Sequence, residues 1–281
     1  MNLLQAVVLG IVQGLTEFLP ISSTAHIRIV PALFGWHFYH HSTNDPGAPF
    51  TAIVQLGTTL AVVMYFWREL LHVTVAWFRG LYDSSVRGTL EYRLGWYLIL
   101  ATIPVGVFGL IFSDQIETGA RNLWVISSAL IGLAVVLFAA EKVGRRDRVE
   151  EQLNRNDAIA VGTAQALALI PGASRSGTTI TAGLFRGLTR EAAARFSFLL
   201  SIPAVVLSGV YEAVHHHKGH SPGAGLTGIA VVFAFVVGLA SIHWLMKWLA
   251  NHSTFIFIYY RIALGVLVMV LLAMGTIDAT N

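Results

Sequence analysis

The sequence predicts an all-α, polytopic membrane protein, and three observations lead there. Apolar residues make up 55% of the 281-residue chain and charged residues only 12%, where a soluble domain carries ~25%. Mean hydropathy is +0.67. Five separate stretches are apolar enough to cross a bilayer as helix, which takes ~20 residues. They run over about 49–67, 94–113, 122–140, 225–246 and 255–275, the last carrying Arg261. A sixth, about 196–214, is entered through Arg195. This composition excludes a disordered chain, a secreted disulfide scaffold and a cytosolic enzyme. With no cysteine, neither disulfides nor thiol chemistry contribute. Met1-Asn2-Leu3-Leu4 carries no basic n-region, so the N-terminus does not read as a removable signal peptide.

The remaining elements follow from where the apolar runs break. Residues 1–19 end in Pro20-Ile21-Ser22-Ser23-Thr24, and 158–174 ends in Pro171-Gly172-Ala173-Ser174-Arg175-Ser176-Gly177-Thr178-Thr179. A shorter helical piece follows each cluster. Helices broken at membrane depth read this way, because non-helical backbone survives there only where protein buries it or a wet cavity lines it. Each segment is therefore expected to be a re-entrant helical hairpin. Gln13 stands seven residues before Pro20 and Gln165 six before Pro171, and each proline opens a Ser/Thr-rich turn followed by a long span. The chain reads as a single membrane domain, 1–281, made of repeats of about 1–141 and 157–277 joined by a charged linker, 142–156.

Charge bias sets the orientation. The net charge of +3 does not read as a nucleic-acid surface, because the basic residues collect between spans. Arg68, Arg79, Arg87 and Arg93 fall in 68–93, and Lys142, Arg145, Arg146, Arg148 and Arg155 in or beside the linker. The segment 114–121 has only Arg121, and 36–48 has neither Lys nor Arg. The positive-inside rule then places 68–93 and the linker in the cytoplasm. The first hairpin enters from outside and the second from inside, so the two repeats have inverted topology, as in many proteins built around a midplane site.

The candidate chemistry sits in the two hairpins. Glu17 is the only acidic residue among the first 44, and Gln13 lies one helical turn before it on the same face. Inserting a carboxylate there costs ~2.5–3.5 kcal/mol, so it is expected to have a partner and a function. Carboxylate and amide oxygens are hard ligands that suit Mg²⁺ or Ca²⁺ held partly by water and phosphate. Arg175 opens a helix amid hydroxyls and small residues, an arrangement suited to phosphate. Gly172-x4-Gly177 imitates a P-loop, but Thr178 stands where its Lys belongs. Ser22, Ser23, Thr24 and His26 complete the set. Ser23 as a nucleophile needs a base, for which Glu17 and His26 both qualify, and water is the competing nucleophile. Together these groups describe phosphoryl chemistry on a lipid. The run His215-His216-His217-Lys218-Gly219-His220 and the pair His40-His41 read as external loops without a metal role. Arg261 reads either as snorkelling or as paired with an internal acid.

Gln13-Gly14-Leu15-Thr16-Glu17-Phe18-Leu19-Pro20-Ile21-Ser22-Ser23-Thr24-Ala25-His26 resembles the first signature of the undecaprenyl-diphosphatases of the bacitracin-resistance type, and Pro171–Thr179 resembles the second. Ile53-Val54-Gln55-Leu56-Gly57, Arg195–Pro203 and Tyr260-Arg261 extend the similarity over essentially the whole chain. The resemblance implies removal of the terminal phosphate from undecaprenyl diphosphate, which recycles the lipid carrier for peptidoglycan synthesis and gives bacitracin resistance. It implies a bacterial cytoplasmic (inner) membrane, an active site facing the periplasm, and membrane lipid around a chain for which a homodimer is allowed. By motif, Gln13 and Glu17 would bind the metal, with Gln13 a weaker neutral variant. Glu17, Ser23, His26 and Arg175 would be catalytic, and Ser22, Ser174, Arg175, Ser176, Thr178 and Thr179 would hold phosphate. A lipid-phosphate flippase of the same inverted-repeat architecture is the alternative, and it would need no hydroxyl beside the acid.

Overall fold

The computed structural model describes residues 1–38, 45–112, 122–215 and 223–280. His40, His41, Arg121 and the run from His216 to His220 lie outside them. Every regular element among the described residues is helical. The first half holds α1 (Leu3–Phe18), α2 (Ser23–Leu33), α3 (Gly47–Tyr65), α4 (Trp67–Tyr82), α5 (Leu90–Ile111) and α6 (Leu123–Val143). The second holds α7 (Arg155–Ala166), α8 (Arg175–Phe185), α9 (Arg190–His215), α10 (Ala224–Asn251) and α11 (Phe255–Ala273). α5, α6, α9, α10 and α11 are each long and apolar enough to cross a membrane, and α3 with α4 forms a bent sixth candidate. The chain is a multi-pass membrane protein.

The helices start and stop for local reasons. Asn2, Asn122 and Asn154 cap α1, α6 and α7 through their side-chain oxygens, satisfying main-chain N–H groups that a helix start leaves open. The expected span 49–67 ends at Tyr65, because the chain turns 76° into α4. A helix over 67–82 replaces the loop expected within 68–93. Arg68, Glu69 and Arg79 share this helix with Leu70, Val73 and Trp77, the amphipathic composition of a helix lying along an interface rather than through it. Trp77 packs edge-on against Trp96 of α5, ring centroids 5.4 Å apart.

α1, α2, α7 and α8 have 16, 11, 12 and 11 residues, too few to span alone. They form two pairs, each joined by a turn. α1 lies along α10, with Gly10 and Gly14 so close to Ala230 and Ala234 that a Cβ would come within 2.4 and 2.9 Å of their carbonyl oxygens. α7 lies along α5, and α6 along α11. Each hairpin thus packs on a span from the other half. In lipid this fit of small residues replaces the water-exclusion force that drives soluble cores.

The linker clasps its neighbours through two buried carboxylates. Asp157 accepts from Arg148 at 3.0 and 2.6 Å and from Arg186 at 2.8 Å. Burial alone would raise its carboxyl, but these hydrogen bonds hold it below the ordinary aspartate range. Glu141 accepts from Arg146 at 2.8 Å, from Thr254 Oγ1 at 2.7 Å and from Arg190, tying α6, α9 and the start of α11 together. Arginines counted in the sequence as a topology signal are therefore structural ties as well.

Candidate active site

Two turns built alike bring the candidate residues together. Ser22 and Ser174 both adopt left-handed backbone, φ/ψ 75/101° and 70/110°, which costs a non-glycine residue ~1–3 kcal/mol. Each then caps the helix it precedes: Ser22 Oγ accepts from Ala25 N–H at 3.4 Å, and Ser174 Oγ from Gly177 N–H at 3.1 Å. The first residue of each helix is consequently thrown out at the same place. In α2 that residue is Ser23, and in α8 it is Arg175.

Both meet Glu17. Ser23 Oγ donates to Glu17 Oε2 at 2.6 Å, and Arg175 Nη2 donates to Oε1 at 2.7 Å. Gln13 Nε2 donates to Oε2 at 2.9 Å, and Gln55 Nε2 from α3 donates to Oε1 at 3.1 Å. Four donors converge on the two carboxylate oxygens of Glu17, which is 7% exposed. Two atoms of this cluster are left over. Gln13 Oε1 and Arg175 Nη1 are buried without a hydrogen-bond partner among the described residues. One spare acceptor and one spare donor flank the serine and carboxylate.

His26 faces elsewhere. Its Nδ1 lies 2.7 Å from the Ser22 carbonyl and its Nε2 2.7 Å from Tyr260 Oη. A carbonyl only accepts, so Nδ1 carries the proton, and in the neutral ring Nε2 accepts from the tyrosine. Neither nitrogen has Ser23 as its partner. The base in contact with Ser23 is Glu17.

Among the residues expected to hold phosphate, several hydroxyls are committed to protein oxygens. Ser176 Oγ donates to the Leu19 carbonyl at 3.0 Å, Thr178 Oγ1 to the Arg175 carbonyl at 3.0 Å and Thr179 Oγ1 to the same carbonyl at 2.7 Å. Ser22 Oγ sits 3.1 Å from Thr24 Oγ1, and Ser174 Oγ 3.3 Å from Ser176 Oγ. These contacts fix the turns, and Gly172 N–H reaches Thr24 Oγ1 at 3.4 Å to join them. Gly172 must be glycine twice over: φ is +93°, and a Cβ would lie 2.4 Å from the Ile126 carbonyl oxygen.

Arg261 answers neither expectation for it. It is fully buried and donates to main-chain carbonyls: Pro20 at 3.3 Å, Gly172 at 3.3 Å, Ala173 at 3.0 Å, and Ala129 and Leu130 of α6 at 3.5 and 3.2 Å. The unwound backbone of both turns finds its partner there, as membrane depth demands. Gln55, Tyr260 and Arg261 are the site residues that the sequence did not assign. Each stood inside a stretch similar to the family, which was the available signal.

These features decide between relatives. The profile for "Bacitracin resistance protein BacA" matches residues 6–267. The chain belongs to this family. It is 50% identical to an undecaprenyl-diphosphatase of Mycolicibacterium smegmatis, over 99% of this chain and 100% of that protein. It is also 50% identical to one of Myxococcus xanthus over 99% and 92%, and 46% identical to one of Nocardia farcinica over 100% and 99%. Within this member of the family, the paired turns bring Ser23 and Arg175 onto one carboxylate.

Proposed function

We propose that this chain hydrolyses undecaprenyl diphosphate to undecaprenyl phosphate and inorganic phosphate. The observation that carries this is the Ser23–Glu17–Arg175 contact, in which the hydroxyl and the guanidinium lie 2.6 and 2.7 Å from the two oxygens of one carboxylate. Family membership and the names of the relatives point the same way. A carrier that only moved the lipid would have no use for a hydroxyl hydrogen-bonded to its buried acid.

The terminal phosphoryl group is drawn to the free N–H of Arg175. Ser23 Oγ attacks its phosphorus and passes its proton to Glu17, while the bond from phosphorus to the bridging oxygen breaks. Undecaprenyl phosphate leaves with that bond's electron pair. Glu17 gives that proton up to the departing undecaprenyl phosphate, water then attacks the phosphoserine with Glu17 taking its proton, and Glu17 returns this proton to Ser23 Oγ as phosphate leaves. Positioning and charge neutralisation supply most of the acceleration in such transfers. His26, held through Tyr260 and Ser22, keeps the first turn in place beside the reacting groups.

One arginine does not neutralise a diphosphate, and the residues present fit a divalent cation that would share the task. Among the described residues no three acids or histidines form a metal cluster. The spare Gln13 Oε1 and the Glu17 carboxylate offer two hard oxygens, leaving the rest to substrate and water, the pattern that suits Mg²⁺. Such an ion would stabilise charge on the transferred group. The reading places the protein in the bacterial cytoplasmic membrane with the site toward the periplasm, in inverted repeats, recycling the carrier for peptidoglycan synthesis.

The test is phosphate release from undecaprenyl diphosphate by purified protein in detergent, with Mg²⁺, Ca²⁺ or EDTA. Release that needs metal and collapses in Glu17→Ala and Arg175→Ala supports the reading. Full activity in Ser23→Ala would transfer the nucleophile to water, and no release by folded wild type would end the phosphatase reading.

A further inference from the structure

An apolar groove of about 690 Å³ runs along one face of α6, walled on its far side by Leu167 and Ile170. Trp124, Ser128, Gly132 and Val136 recur along it at helical spacing, and Ser128 is its one polar side chain. At ~1.5 Å of rise per residue the stripe is ~18 Å long. We propose that this groove seats the first isoprene units of the polyprenyl tail of the substrate. The inference rests on the phosphatase reading above and adds a place for the tail.

Continuity with the site carries the argument. Ile170 leads directly into Pro171 and Gly172, the turn that presents Arg175. The floor residue Ala129 gives its carbonyl to Arg261, whose guanidinium also holds the Gly172 and Ala173 carbonyls. One buried side chain therefore fixes the end of the groove relative to the phosphate-facing turn. The breadth of the groove has a local cause. The chain unwinds after Ala166 into a short 3₁₀ turn, Leu167–Leu169, and Gly132 faces that gap. A Cβ at Gly132 would meet nothing within 4 Å.

The test follows from that open space. Gly132→Trp places an indole in the groove from a Cβ that meets nothing within 4 Å, and turnover is measured on undecaprenyl diphosphate and on isopentenyl diphosphate, which has a single isoprene unit. The tail exchanges groove for lipid rather than for water, so packing alone is lost and the effect is modest. The expected result is a KM for undecaprenyl diphosphate raised roughly three- to tenfold with kcat kept, and unchanged hydrolysis of isopentenyl diphosphate. Equal effects on both substrates, or none, would overturn the groove. Wild type that turns over neither substrate fails the phosphatase reading instead. The groove is then decided by photocrosslinking from p-benzoylphenylalanine at position 132 in phosphatidylglycerol vesicles containing undecaprenyl phosphate. Labelling of the prenyl lipid that unlabelled prenyl lipid competes away sustains the proposal. Labelling of phospholipid acyl chains alone refutes it.

Discussion

Glu17 at the paired turns and Asp157 at the linker are both buried carboxylates bound to arginine, yet they are finished differently. Asp157 receives two arginines and the N–H of Asn154. Arg148 spends its other hydrogen bonds on the carbonyls of Arg186 and Gln152. Glu17 receives one arginine, and that arginine keeps a buried N–H in hand. A saturated network is a clasp. One with an unspent donor and an unspent acceptor fits the function proposed above, because burying such groups without partners costs stability.

The sharpest way to break this comparison is to remove a partner from each network. Glu17→Gln or Arg175→Ala is expected to lower phosphate release about 10³-fold, with the melting temperature in detergent nearly unchanged. Asp157→Ala should do the reverse. It strands Arg148 and Arg186 and destabilises by roughly 3 kcal/mol, read as a lower melting temperature, while activity per folded molecule stays within about twofold of wild type. If Asp157→Ala silenced the folded enzyme, the division between clasp and site would be wrong.

A smaller effect is expected from Tyr260→Phe, which leaves His26 Nε2 without its donor but keeps the ring. About a tenfold fall in kcat with little change in KM is expected, near the value of one hydrogen bond. Additivity with His26→Ala would show that the two do not act together. The smallest change concerns Glu150, beside Arg195 at 3.3 Å. Burial and the neighbouring Glu69 push its carboxyl up to about 8 from 4.5. The folded chain then holds a proton that the unfolded chain has lost, so stability falls as pH rises from about 5 to 8. Glu150→Gln should flatten that slope, followed by thermal melts across this range.

The spans were legible because twenty apolar residues leave few alternatives, and the hairpins because Pro and Ser interrupt them. α4 was not, since its arginines read as loop when counted for topology, though on an interfacial helix they face water. The core of the site, Gln13, Glu17, Ser23 and Arg175, was legible from residue type alone. Its outer parts were not: Gln55 meets Glu17 across 38 residues and Tyr260 meets His26 across 234. Arg261 misled for another reason. An arginine in a span suggests an acid, whereas its acceptors are main-chain carbonyls, which every residue possesses and no sequence displays.

That arginine also orders events during biosynthesis. Both turns depend on a guanidinium in α11, the last helix described, so translation runs through nearly the whole chain before their carbonyls can be satisfied. Until then the Pro20, Gly172 and Ala173 carbonyls lack the donor that the finished fold gives them. A chain truncated before α11 is therefore expected to lose the placement of both hairpins together, not one at a time.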